Sequence, residues 1–215
     1  MFEDLGRLDP RLMGITAIRG VGLSSNIYVI KAEEVTLIDT GVGNEHNRLD
    51  RTLEQLHIPM QSVRHVILTH AHADHFGGLL TIQSLTSPRI LVHKLDGHAL
   101  EEVDTKRITW INEGDTVNAS GRRLKVVHTP GHTAGSICLF DEANKTLFSG
   151  DTVFPDGLFG RTDLPTGDAQ ALVDSLKKLT RLDVESLLAG HERSVIHDGS
   201  SQIRLSYEVA QSFFG

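Results

Sequence analysis

Four metal-binding side chains crowd into six residues: His70, His72, Asp74 and His75, in ThrHisAlaHisAlaAspHisPheGlyGly. Imidazole and carboxylate are the groups that borderline and hard cations bind. His70 and His72 are two apart, so on extended backbone they point the same way. Asp74 continues that side only if the chain stays extended, and His75 needs a turn or a helix start. The pattern differs from HisGluXaaXaaHis, where both ligands share one helix face. Here the ligands sit on a loop after an apolar strand at His65–Leu68, and Gly77 and Gly78 let the chain turn tightly into a helix.

Three further segments are built alike. Leu124–Val127 leads into HisThrProGlyHis, which offers His132; Thr146–Phe148 leads into SerGlyAsp, which offers Asp151; Ser186–Ala189 leads into GlyHisGlu, which offers His191. In sheets with helical crossovers, sites gather at the carboxyl ends of strands. The seven residues divide as three, three and one bridging carboxylate, with room for a shared water. The expectation is two divalent ions, zinc first, with iron or manganese also compatible. Two such cations against Asp74, Asp151 and a hydroxide leave residual positive charge, which attracts a carbonyl or phosphoryl oxygen. Asp151 has a plainer alternative as a helix cap.

The elements that must position these groups follow from periodicity. Strands are expected at Ile15–Arg19, Asn26–Lys31, Val35–Asp39, His65–Leu68, Ile90–His93, Leu124–His128, Ile137–Phe140, Thr146–Phe148 and Ser186–Ala189. Helical spacing places Leu49, Leu53 and Leu56 on one face of Glu45–His57, and Leu172, Leu176 and Leu179 on a second helix capped by Asp168. A last helix is expected from about Ser201 to Phe213. Hairpins early and strand–helix alternation later give a mixed α/β layered fold, in one domain over residues 1–215. ThrLeuIleAspThrGly at 36–41 echoes ThrLeuPheSerGlyAsp at 146–151 and hints at duplicated halves.

Composition excludes several classes. The chain has 215 residues and a net charge of −7, which argues against a broad nucleic-acid surface. Aromatic residues make up 5%, too few for a base-stacking platform. No apolar run approaches the ~20 residues of a spanning helix, and the acidic N-terminus lacks a signal-like apolar core. A cytoplasmic protein with no membrane partner is expected. A homo-oligomer is neither indicated nor excluded. Cys138, the single cysteine, lies in an apolar run and reads as a core thiol, and Trp110 also reads as core. His46, His57, His65, His93, His98 and His197 read as structural or surface residues, with His128 a weaker candidate behind the metal ligands.

The motifs as a set resemble the metallo-β-lactamase-fold hydrolase superfamily. ThrHisAlaHisAlaAspHis matches its His-X-His-X-Asp-His signature, and ProGlyHisThr, SerGlyAsp and GlyHis follow in order. The resemblance implies a four-layer αβ/βα sandwich of two mixed sheets flanked by helices. It assigns His70, His72 and His132 to one metal, Asp74, His75 and His191 to the other, and Asp151 between them. Asp39 matches an aspartate behind the metal histidines. A carboxylate at Asp151, with GlyArgThrAsp at 160–163, is similar to the short glyoxalase-II-like and persulfide-dioxygenase-like branches. The long glyoxalase II type has lysine and tyrosine in this loop, where Arg161 and Asp163 stand, and carries a further helical domain.

The activity implied is hydrolysis, first of a thioester, hydroxyacylglutathione-hydrolase-like, by a metal-bridging hydroxide that Asp74 orients. The substrate is then a small molecule, a thioester or thiol conjugate. The alternatives are a mononuclear iron persulfide dioxygenase, using His70, His132 and Asp151, and a non-enzymatic metal-binding module. Arg161, Phe154 and Phe159 are the expected substrate contacts; for Arg161 the competing expectation is an ion pair with Asp163 or Asp168.

Overall fold

Runs such as IleTyrValIle and ValThrLeuIle carry no polar alternation, so both faces of their strands must be covered. The computed structural model describes residues 1–45, 48–101 and 103–215, and in it both faces are covered. One sheet has seven strands in sequential order: β1 (Phe2–Asp4), β2 (Ile15–Ile18), β3 (Ile27–Lys31), β4 (Val35–Ile38), β5 (Val63–Ile67), β6 (Arg89–His93) and β7 (Ile108–Ile111). The other has β8 (Thr116–Ala119), β9 (Arg122–His128), β10 (Ile137–Asp141), β11 (Thr146–Gly150) and β12 (Ser186–Ala189), in the order β12-β11-β10-β9-β8.

Alternate residues of each strand belong to different cores. Ile15, Tyr28, Ile30, Ile38 and Ile67 pack between the sheets against Leu124, Val126, Ile137, Leu139 and Phe148. Val29, Leu37, Val66 and Val92 face outward onto α1 (Leu49–Gln55) and α3 (Leu79–Leu85), through Leu49, Leu53, Leu79 and Ile82. On the second sheet Val127, Cys138, Phe140, Leu147 and Leu187 face α4 (Ala169–Leu179) and α5 (Gly199–Phe214). Helices, sheet, sheet and helices stack as the four layers expected.

Strand direction decides where a site can form. β4, β5, β6 and β7 run parallel. β10 is antiparallel to both β9 and β11, and β11 is parallel to β12, so β9, β11 and β12 share a direction. The carboxyl ends of β5, β9, β11 and β12 meet at one edge of the sandwich. The two echoing segments hold equivalent places: β4 and β11 each pair antiparallel with the preceding strand and parallel with the next.

Several expectations are corrected. β1, β7 and β8 were not anticipated: β1 is exposed along its length, and β7 and β8 end their sheets. Trp110, expected in the core, is 47% exposed on β7, its ring lying over Gly97. The first helix runs Leu49–Gln55 rather than Glu45–His57: Arg48 before it is extended, and His57 beyond its end turns to φ 53. His46 and Asn47 lie outside the described residues. The last helix gains a residue or two at each end. His93 and His197 take structural places as expected: His93 stacks on His128 with ring centroids 4.2 Å apart, and His197 Nδ1 lies 3.2 Å from Glu185 Oε1.

Candidate metal centre

Beyond β5 the chain bends at Thr69 and His70, is extended at His72 and then turns into α2 (Ala73–Phe76), which carries Asp74 and His75 on one helical turn. The backbone N–H and hydroxyl of Thr40 both donate to His75 O, tying this turn to the end of β4. His132 follows Gly131, whose carbonyl accepts from Asp168 N–H; Asp168 also caps α4 by accepting from Ala171 N–H. Asp151 follows Gly150 at the end of β11, and His191 follows Gly190 beyond β12. A side chain at Gly190 would lie 2.3 Å from Asp151 Oδ1 and 2.8 Å from His75 Cε1, so only glycine lets these loops close together.

All seven residues expected at the centre converge. Ligand atoms of His70, His72 and His132 lie within 4.8 Å of one another, as do those of Asp74, His75 and His191. Asp151 lies between the two groups: its Oδ1 is 3.2 Å from His75 Nε2, and its Oδ2 is 3.5 Å from both His132 Nε2 and His191 Nε2. His72 Nδ1 and His132 Nε2 are 2.9 Å apart, and His191 Nε2 is 3.2 Å from Asp74 Oδ2. His70, His75, His132 and Asp151 are buried, whereas His72, Asp74 and His191 are part-exposed, so the cluster opens on one side.

The donor set fits divalent metal on a direct observation. Three buried side-chain polar atoms among the described residues lack a hydrogen bond, and two of them are His70 Nε2 and Asp151 Oδ1, both aimed into the cluster. Buried polar atoms are otherwise almost always paired. The far ring nitrogens are held from behind. His75 Nδ1–H donates to Asp39 Oδ2 at 2.8 Å, and His132 Nδ1–H donates to the Arg161 carbonyl at 2.7 Å, leaving both Nε2 atoms turned inward. Such outer partners fix the tautomer of a metal-binding imidazole. Asp39 also accepts from Thr69 N–H and Thr69 Oγ1–H, both at 2.8 Å.

Ionisation suits cation binding at His70, His72 and Asp151, whereas at His75 and His191 a cation would have to displace a proton. Burial, reinforced by His75, pushes His70 well below its ordinary range, and burial with His132 lowers His72, so both imidazoles are neutral. Burial opposes charge on Asp151 too, but His75, His70 and His191 outweigh it and hold this carboxyl far below the usual carboxylate range. Burial likewise opposes protonation of His75, and there Asp151 and Asp39 prevail, raising its pKa.

One residue escaped the sequence reading. Asp96, 2% exposed beyond β6, accepts from Ala71 N–H at 2.9 Å, from Thr133 Oγ1–H at 2.9 Å and from Gly135 N–H at 2.8 Å. It joins the loop between His70 and His72 to the loop after His132. Its signal was position: an aspartate beyond the carboxyl end of a strand parallel to β5.

Of the expected substrate contacts, Phe154 is 9% exposed with its ring 6.2 Å from that of His191. Phe159 turns instead toward α5, 5.8 Å from Phe214, and anchors the loop. Arg161 is paired with Asp163 at 2.7 and 2.6 Å, and its backbone carbonyl serves His132. A cavity of about 780 Å³ lies at the opposite edge of the sandwich, near His65, Arg89 and Trp110, and contains none of the clustered ligands. No helix among the described residues is long and apolar enough to cross a membrane.

Comparison with known proteins agrees with this architecture. The human acyl-coenzyme A thioesterase MBLAC2 is 30% identical over 212 residues, covering 79% of this chain and 74% of the relative. The hydroxyacylglutathione hydrolase GloC of Haemophilus influenzae is 30% identical over 196 residues, covering 83% and 91%. The metallo-beta-lactamase family protein TTHA1429 of Thermus thermophilus superposes with a TM-score of 0.77 at 23% identity, over 95% of this chain and 81% of that one. TTHA1623, solved in a di-iron-bound form, gives 0.70 at 27% identity, over 90% and 97%. The metallo-beta-lactamase superfamily model matches residues 20–191, spanning all seven clustered residues, and the chain belongs to that superfamily.

Proposed function

We propose that this chain is a dinuclear metal-dependent hydrolase acting on a thioester. The observation that carries the reading is the pair of three-residue groups sharing Asp151 at an open edge. His70, His72 and His132 would hold one ion, Asp74, His75 and His191 the other, with Asp151 between them. Divalent ions so placed supply a water of near-neutral pKa and polarise a carbonyl. The thioester assignment is supported by two relatives, at 30% identity, whose names specify thioester substrates.

The chain's own residues divide the remaining work. Asp74 is a ligand with its side chain 30% exposed, placed to accept a proton from an incoming water. Asp39 and the Arg161 carbonyl keep two imidazoles oriented. Phe154 presents an apolar wall beside His191 that would keep bulk water from the reacting carbonyl. The mononuclear iron alternative leaves Asp74, His75 and His191 without a task, and two metals per chain by elemental analysis is the expected result.

The direct test is turnover by fully metal-loaded protein of S-lactoylglutathione and acetyl-coenzyme A. Asp151→Ala is expected to lower kcat/KM at least about a thousandfold, on the order of losing one charge-stabilising group at the reaction centre. Absence of turnover across a thioester panel at full metal occupancy would overturn the reading.

A further inference from the structure

A cavity of about 320 Å³ adjoins the metal centre, with His191 in its wall. Arg19, Gly20, Ser24 and Asn26 line one side, and Asp156, Glu192 and Arg193 the other. The two sides are joined by Asn26, whose backbone N–H donates to Gly190 O at 2.7 Å. Its side-chain amide donates to Ala189 O at 3.1 Å and to Glu192 O at 2.9 Å. Asn26 Oδ1 in turn accepts from Gly20 N–H at 3.1 Å. A Cβ at Gly20 would fall 1.9 Å from Ser24 O, so the β2–β3 loop folds back on itself there only with glycine. Arg19 and Arg193 are thus set on a braced frame beside a candidate metal ligand.

The two guanidiniums differ in availability. Arg193 Nη2 donates to Asp156 Oδ1 at 2.8 Å, an exposed pair that orients it. Arg19 is exposed and forms no ion pair among the described residues. The other arginine near the centre, Arg161, is already engaged by both oxygens of Asp163.

We propose that this cavity is the subsite for the anionic end of the substrate's thiol carrier, with Arg19 as its main anchor and Arg193 as its second. This rests on the thioester reading. Guanidinium presents a planar fork of donors that matches carboxylate or phosphate bidentately. The volume is at the low end for ligand pockets and suits one end of a carrier rather than the whole of it. The shared chemistry is an oxyanion, supplied by the carboxylates of glutathione or by the phosphates of coenzyme A. Placing the carrier here leaves the acyl carbon at the metal side of His191, near Phe154.

The experiment has a kinetic and a binding arm, both on metal-loaded full-length protein. The kinetic arm reads the ratio of kcat/KM for S-lactoylglutathione or acetyl-coenzyme A to that for the uncharged thioester ethyl thioacetate. Arg19→Ala is expected to reduce this ratio about tenfold and Arg193→Ala about threefold. Arg181→Ala, equal in charge change but remote on the surface, leaves it unchanged. Asp156→Asn, which frees Arg193 and keeps a residue tolerant of the positive φ of 62° at this position, is expected to raise the ratio. The carrier whose ratio falls in Arg19→Ala identifies the oxyanion as carboxylate or phosphate.

The binding arm titrates S-methylglutathione and free coenzyme A by calorimetry and needs no turnover. Loss of thioesterase activity across the panel would sink the hydrolase reading alone. Equal binding of both probes to wild type and Arg19→Ala, or ratios unchanged in both arginine variants, would overturn the subsite.

Discussion

At the scale of single residues, Asp39 shows how a carboxylate can orient an imidazole from behind. It adopts φ 58, a conformation aspartate tolerates better than most residues, and from there receives three hydrogen bonds, from Thr69 twice and from His75. Asparagine would fit the space but must turn its amide N–H₂ toward one of those donors. Asp39→Asn is therefore expected to weaken metal binding by about ten- to a hundredfold with the fold retained. Competition with a chromophoric chelator reads this directly; unchanged affinity would mean that His75 is oriented by packing alone.

Cys138 makes the opposite case, a group whose chemistry is switched off by its surroundings. Burial, only partly offset by Thr129 and Thr152, pushes its thiol up to about 11 from an ordinary 9.0. The folded thiol stays protonated where the unfolded one ionises, so this group's contribution to stability is constant below pH 9.0 and falls as the pH rises from there toward about 11. The loss is about 1.4 kcal/mol per pH unit in that window. Iodoacetamide at pH 8 is expected to leave Cys138 unlabelled in the native protein and to modify it fully in denaturant. Cys138→Ala should flatten the fall in stability above pH 9. Rapid native labelling would contradict the thiol's burial.

At the scale of elements, Asp96 is the joint between the sheets. Its Oδ2 accepts from Ala71 and Thr133 and its Oδ1 from Gly135, so it links the β5 loop to the β9 loop just behind His70, His72 and His132. Asp96→Asn sets an N–H₂ against one of these donors whichever way it turns. Metal is expected to leave the His70–His72–His132 group preferentially, with an affinity on the order of tenfold lower, while far-ultraviolet dichroism stays unchanged. A full complement of metal in this variant would assign Asp96 to packing. Asp96 also shows the boundary of what a sequence discloses. The four clustered residues at 70–75 and the Gly-flanked His132, Asp151 and His191 were legible because each combines a metal-binding residue type with a strand end. Asp96 has the same placement, but its role lies in backbone donors supplied 25 and 39 residues away, and no local pattern encodes them. The missed strands have a similar cause. β7 and β8 end their sheets, and their composition needs to satisfy only one covered side, so ThrTrp and ValAsn do not stand out as an apolar run. Trp110 was misplaced for that reason: an edge strand lets a large ring lie over Gly97 and remain half in water.

At the scale of the molecule, the seven clustered residues come from both sheets: His70, His72, Asp74 and His75 follow β5, while His132, Asp151 and His191 follow β9, β11 and β12. Ions held by this set would bridge the two halves of the sandwich at one edge, where the interior apolar packing gives way to imidazoles. There Asp151 and His75 face each other at 3.2 Å, and His70 Nε2 is buried with no hydrogen bond. An ion that binds only the folded chain stabilises it by RT ln(1 + [M]/Kd), about 4 kcal/mol at a thousand times Kd. For a chain of this length that corresponds to roughly ten degrees in Tm. Dialysis against a chelator is accordingly expected to lower Tm by about that amount, and restoring divalent metal to recover it in proportion to occupancy. Hydrogen exchange should localise the change. Amides of residues 69–76, 129–135, 150–152 and 190–193 would lose protection on metal removal, while β3, β4, β10 and β11, enclosed between helices and the opposite sheet, would keep theirs. A Tm independent of metal, with protection equal in both states, would mean that the hydrogen bonds of Asp39, Asp96 and Asn26 alone hold the edge closed.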